Sequence, residues 1–413
     1  MDHRRRRPEK RRRIITPPPA AGIALPDDLL FMEVLVRLPA KCLLRFKSVC
    51  RSWCVGMADA GFVRRHRDFS RASQPSMLLI GRKSATEDEE EPSGDITFYR
   101  LRLGQTPGKS KVKAELLLEK ACPLEAAVSP THCDGLVAIV TATDQVFVCN
   151  PATNELVALP LGSPNVENTK FPSGAIGFDR WRNQYVVARY FYRRRCYDDE
   201  SGGKLDYDIG HEIFTLGGKS WELTADPPHA ISGTRPAYTG DAFYWACDED
   251  EHPRPSSLLR FSLRHRTFDL VPCPPNFGYH TALDHLAELD GKLCYVNNGA
   301  SLTTFDVWQL ADDGGTGPAQ WYLRCRIDPG DDDECFGSYG FLPLWATGGR
   351  MLVMVSDETL YWCDEKSRGV EEVVDLEEAL DLEEGNYVRH VVPYRESLVS
   401  IRNFTVEGHL AIS

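Results

Sequence analysis

The chain has 413 residues, 42% hydrophobic and 10% aromatic, more than one typical domain and enough apolar material for a buried core. It holds no run of eighteen or more uncharged apolar residues and opens on arginines, so neither a membrane-spanning helix nor a secretory signal is expected, and no membrane partner. The net charge of −12 is uneven: residues 1–13 carry eight Lys/Arg against two acids, or +6, leaving −18 for the remainder, and an acidic body argues against nucleic acid as a broad partner. The thirteen cysteines form no C-x-x-C pair and no repeated spacing, which suits reduced thiols in the cytosol or nucleus better than a disulfide framework.

Residues 1–24 read as a disordered basic and proline-rich tail. Arg4, Arg5, Arg6, Arg7, Lys10, Arg11, Arg12 and Arg13 form two basic clusters without apolar periodicity, and the PPPA that follows is a stiff spacer. The tail is either a nuclear-import signal, placing the protein in the nucleus and/or cytoplasm, or a solvated extension of no consequence.

Helical signals begin after Leu25-Pro26. Asp27 or Asp28 can cap a helix that runs through Val36, and Pro39 marks its stop. Leu29, Leu30, Phe31, Met32, Val34, Leu35 and Val36 make it apolar nearly all round, which requires cover on more than one side. Leu43, Leu44 and Phe46 follow, and then Cys50, Trp53, Cys54 and Met57 fall at i, i+3, i+4 and i+7. A last helix after Asp59 sets Phe62, Val63, His66 and Phe69 on one face, with Arg64, Arg65 and Arg67 mainly off it. Residues 25–69 thus form a small helical module.

From Met77 the texture changes to short runs rich in β-branched and aromatic residues, divided by Gly, Asp, Asn and Pro. Many come in phrases led by a glycine, as in CDGLVAIV…DQVFVCNPATNELVALP. The leading glycines Gly135, Gly240, Gly291 and Gly349 recur with a period near fifty, which belongs to β-propellers. With a unit starting at Met77 and a weaker one over 177–221, six blades are expected, closed by a strand at 394–401. The acidic segments EDEEE (87–91), DEDE (248–251) and DDDE (331–334) are expected to be exposed loops. The predicted fold class is α+β multidomain: an all-α module followed by an all-β propeller over 77–413, with Trp245, Trp308, Trp345 and Trp362 packing between blades.

Motifs for chemistry do not assemble. GGKS at 217–220 lacks the earlier glycine of a phosphate loop and reads as a hairpin turn; His211-Glu212 has no second histidine four residues on; no nucleophile elbow is present. Neither catalytic residues nor a metal or cofactor is expected.

The run LPDDLLFMEVLVRLPAKCLLRFKSVCRSW strongly resembles an F-box, and CDGLVAIV with VCNPATNELVALP looks like the F-box-associated, kelch-like domain common in plant proteins. The resemblance implies a non-enzymatic substrate receptor of an SCF-type cullin-RING ubiquitin ligase. The F-box would dock on the adaptor subunit, and through it on a cullin, while the propeller binds an unidentified target protein. It assigns adaptor-binding or F-box core roles to Leu25, Pro26, Leu29, Leu30, Val34, Leu35, Leu38, Pro39, Leu43, Leu44, Val49, Cys50 and Trp53, the last as the candidate anchoring aromatic. One departure stands out: an extra residue at Phe31-Met32 before Glu33, so either the helix start slides by one or Leu25-Pro26 packs differently. Two other classes remain open, a DNA-associated regulator using the module and basic arm, and a propeller enzyme or non-degradative binding protein.

Overall fold

A computed structural model of the chain describes residues 29–83, 95–103, 113–121, 129–141, 144–166, 174–198, 204–248, 250–251, 253, 255–275, 284–298, 304–311, 320–328, 341–355, 359–367, 369–380 and 386–402. The basic tail, Leu25-Pro26 and the acidic segments at 87–91 and 331–334 lie outside them. None of the described helices is long and apolar enough to cross a membrane.

Six four-stranded antiparallel sheets form the blades of a propeller. Their innermost strands are, in ring order, Asn386–Tyr394, Ser129–Cys133, Gly174–Asp179, Ala237–Thr239, His285–Leu289 and Phe341–Thr347. Each lies beside the innermost strand of the next blade, and the sixth returns to the first, so the ring is closed. Six apolar clusters hold it together, one at each boundary between neighbouring blades. Central strands such as Leu136–Val140 and Val146–Asn150 are buried along their whole length because both faces of a blade are covered. Trp245 is fully buried between the third and fourth blades; Trp308 packs between the fourth and fifth, and Trp345 against Trp362 between the sixth and first.

The six-blade ring agrees with the period, but its phase differs. Gly135, Gly240, Gly291 and Gly349 all have positive φ and sit in the turns that follow the innermost strands, so each glycine ends a blade's first strand instead of opening the blade. The innermost strand escapes the sequence pattern because it has a free edge towards the axis, where a missing N–H costs nothing: Pro130, Pro343 and Pro393 all lie in such strands.

The closing strand also differs from expectation. It is Asn386–Tyr394, antiparallel to Ser76–Lys83 with Ser76 opposite Tyr394 and Lys83 opposite Asn386, so residues 395–401 are not part of the ring's ladder. Nor is the DEDE segment simply an exposed loop. Asp248 is buried and accepts a 2.8 Å hydrogen bond from Arg195 Nη2, Asp250 accepts one of 2.6 Å from Tyr197 Oη, and Glu251 one from Tyr207 Oη. The donors belong to the long hairpin of Gln184–Asp198 and Lys204–Thr215, which these acids tie to the fourth blade. GGKS is a turn between strands, with Gly217 at positive φ.

Two buried polar groups bind the third blade to its surroundings. Arg189 Nε donates to Glu212 Oε1 at 2.6 Å with both side chains almost fully buried, and Ser163 donates to the same carboxylate. His211 is wholly buried among Trp245, Phe261 and Phe268, with Nδ1 2.5 Å from Thr224 Oγ1. Burial, and secondarily the charge of Arg266, holds its pKa down to about 3. The unfolded value is higher, so the folded state binds fewer protons there; this stability is complete above about pH 7 and is lost as pH falls below about 6.5. By pH 5.5, one unit below the unfolded value, the loss is on the order of 1 kcal/mol. Thermal melts between pH 7.5 and 5 should therefore show Tm falling, and His211→Gln, which cannot titrate, should make that fall shallower; an unchanged slope would clear this histidine of the effect.

Candidate docking surface

The helical module starts in an unusual way. Leu29 is helical, and Leu30–Val34 then form a π turn in which the Leu35 N–H reaches the Leu30 carbonyl. A π turn takes about one more residue per turn than an α-helix, and this one falls on the Phe31-Met32 segment where the F-box resemblance places an extra residue. The Phe31 ring meets Trp53 and Phe62 edge-on and lies so close to Gly56 that a Cβ there would overlap it. A single 3-10 turn, Leu35–Arg37, leads to Leu38-Pro39, and three helices follow: α1 (Ala40–Phe46), α2 (Arg51–Ala58) and α3 (Ala60–Ala72). Asp59 caps α3 by accepting hydrogen bonds from the Gly61 and Phe62 N–H groups at 2.8 and 3.2 Å.

The residues singled out in the sequence divide into two sets. Leu35 and Leu43 are buried, and Leu30, Leu38, Leu44 and Trp53 are partly buried against the same cluster. Trp53 lies edge-on to both Phe31 and Phe46, an arrangement internal to the module. Leu29, Val34, Pro39, Val49 and Cys50 are exposed instead. Three further exposed apolar residues, Met32, Val55 and Phe69, lie outside that candidate set. Of the fifteen large apolar side chains exposed among the described residues, six belong to this short module: Leu29, Met32, Val34, Val49, Val55 and Phe69, with Val49 and Val55 at 60% and 63% exposure. The first helix, apolar nearly all round, thus has one side in the module's core and another in solvent.

The other side of the module rests on the propeller. Arg71 of α3 holds Asp134, in the turn after the second blade's innermost strand, with both oxygens engaged at 2.6 and 2.7 Å. The Arg67 guanidinium lies 4.3 Å from the Phe178 ring centre in the third blade. Lys41 of α1 reaches Glu115 of the first blade at 2.9 Å, and Arg100 meets the same carboxylate at 2.5 Å. Hydrogen bonds from Arg100 and then Lys41 pull the Glu115 pKa down to about 2. His66 is buried at the same junction with Nε2 3.1 Å from the Leu38 carbonyl oxygen, and burial lowers its pKa. With Arg67 and Arg71 turned to the propeller, α3 is poorly placed to act as a groove-reading helix. Among the described residues no group of three or more His, Cys, Asp and Glu is placed to hold a metal ion.

A helical module fixed to one side of a six-bladed ring and carrying uncovered apolar side chains defines a two-part binding protein. Residues 96–322 match the F-box associated beta propeller domain, more than half of the chain, and the chain belongs to that family. Its relatives are plant F-box proteins of Arabidopsis thaliana. It is 26% identical to the candidate F-box protein At5g15660 over 70% of this chain and 63% of that protein, and 25% identical to the F-box protein At1g47810 over 73% and 87%. It is also 25% identical to the F-box/LRR-repeat/kelch-repeat protein At1g09650 over 89% and 94%. The chain therefore spans less than two thirds of At5g15660.

Removing the α3 cap tests the module's own stability. Asp59→Ala should destabilise it by about 1 kcal/mol and speed amide exchange at the start of α3 in native-state measurements, with the blades unaffected.

Proposed function

We propose that the protein is the substrate-recognition subunit of an SCF-type cullin-RING ubiquitin ligase. The module docks on the adaptor, and through it on a cullin, while the propeller holds a target protein. The observation that carries this reading is the concentration on the short module of six of the fifteen large apolar side chains exposed among the described residues, the composition expected of a protein–protein contact. The order of residues over 38–53 and the family of the propeller support it from independent directions.

The mechanism is proximity. Holding a target beside the ubiquitin-transfer machinery raises its effective concentration there, which needs two binding surfaces in fixed relation and no catalytic group in the receptor. The module contacts the turn that follows the second blade's innermost strand, so the connections at the opposite ends of the innermost strands are the natural place for the target.

Calorimetric titration of the full chain with purified adaptor tests the proposal. Wild type should bind at micromolar concentration or tighter, and Val34→Asp with Val55→Asp should weaken binding at least ~100-fold, with Tm nearly unchanged because both side chains already face water. A folded wild-type protein that ignores the adaptor would overturn the reading.

A further inference from the structure

The eight residues after the closing strand, 395–402, make no strand, yet they touch three parts of the molecule at once. On the ring, Asn150 Nδ2 donates to the Ser397 and Val399 carbonyls at 3.1 and 2.7 Å, and Glu155 accepts from Ser400 Oγ and the Ile401 N–H at 2.9 and 2.7 Å, so the segment is fastened across the second blade. Gly135 fits beneath it: the residue has φ +80°, and a Cβ there would overlap the Arg395 carbonyl oxygen. On the module, Glu396 Oε2 accepts the first N–H of α1, from Ala40, at 2.5 Å, and the Glu396 carbonyl accepts from Ser70 Oγ of α3 at 3.3 Å. Arg395 Nε donates to the Ser73 carbonyl just beyond α3, and Leu398 is buried in the module's own apolar cluster. Arg100 of the first blade joins the other oxygen of Glu396.

We infer that residues 395–402 are a clamp that sets the orientation of the helical module on the propeller, with Glu396 as its positioning residue. The closing strand ends at Tyr394, so the clamp is separate from ring closure. It supplies the module with a helix-starting acceptor and a core side chain that its own sequence lacks. Adaptor face and target face are then held as one rigid body, and a target lysine is presented in a fixed direction. That consequence, though not the clamp itself, rests on the ligase reading above.

Hydrogen–deuterium exchange on the full chain, on the double variant Glu396→Ala, Leu398→Ala, and on a chain stopped after Tyr394 tests this. In the double variant, amides of Ala40–Phe46 and Ala60–Ala72 should exchange at least ~10-fold faster while the fourth to sixth blades keep their protection. The shortened chain should show the same loosening, plus faster exchange in Val146–Asn150 of the second blade. Module protection within ~2-fold of wild type in the double variant would overturn the clamp, as would protection lost equally throughout the chain, which would make the segment part of the ring. Adaptor binding by wild type is measured separately: its absence would sink the ligase reading and leave the exchange result to judge the clamp alone.

Discussion

The structure depends on the pairing of Asn386–Tyr394 with Ser76–Lys83, two strands from opposite ends of the propeller sequence. Every blade has two apolar faces, and each is satisfied only by the neighbouring blade, as the six boundary clusters show. An open ring would leave the faces of its two terminal blades in water. Closure is also the least local contact in the ring, so the loop entropy of nearly the whole propeller is lost before it forms.

The helical module depends on that closed ring in turn. Its cluster includes Leu398 and Ala152 from the propeller side, and its polar partners Glu115, Asp134 and Glu396 come from the first two blades and the segment after the closing strand. Only the ring brings these groups, distant in sequence, to one side. The module itself is anchored to the propeller by buried side chains and ion pairs, while Leu29, Val34 and Val55 remain exposed to water. Anchoring combined with exposure is what a docking element on a rigid scaffold requires.

Much of this was legible because its causes are local. Asp59 announces α3 through its side-chain oxygen, and Gly135 and Gly291 mark hairpin turns because Asp-Gly pairs adopt positive φ readily. The innermost strands were hidden. Ser129–Cys133 reads SPTHC and Ala237–Thr239 is three residues long, and neither shows the alternation of a half-buried strand because each has an edge on the axis. The π turn was hidden as well, since a hydrogen bond from Leu35 back to Leu30 leaves no mark on composition. DEDE looked like a solvated loop because its partners, Arg195, Tyr197 and Tyr207, lie some forty or more residues earlier, in another blade.

By itself the sequence determined the order of parts: a basic tail, a helical module whose apolar residues exceed what it can bury, and about six repeats of a four-strand unit. These follow from hydrophobic period, turn chemistry and capping, which act over a few residues. Only the tertiary structure decided which late strand closes the ring, which apolar side chains of the module are core and which surface, and that Glu396 and Leu398 complete the module. Those outcomes turn on groups hundreds of residues apart being brought within hydrogen-bond or van der Waals distance, and no local property of either partner encodes that meeting.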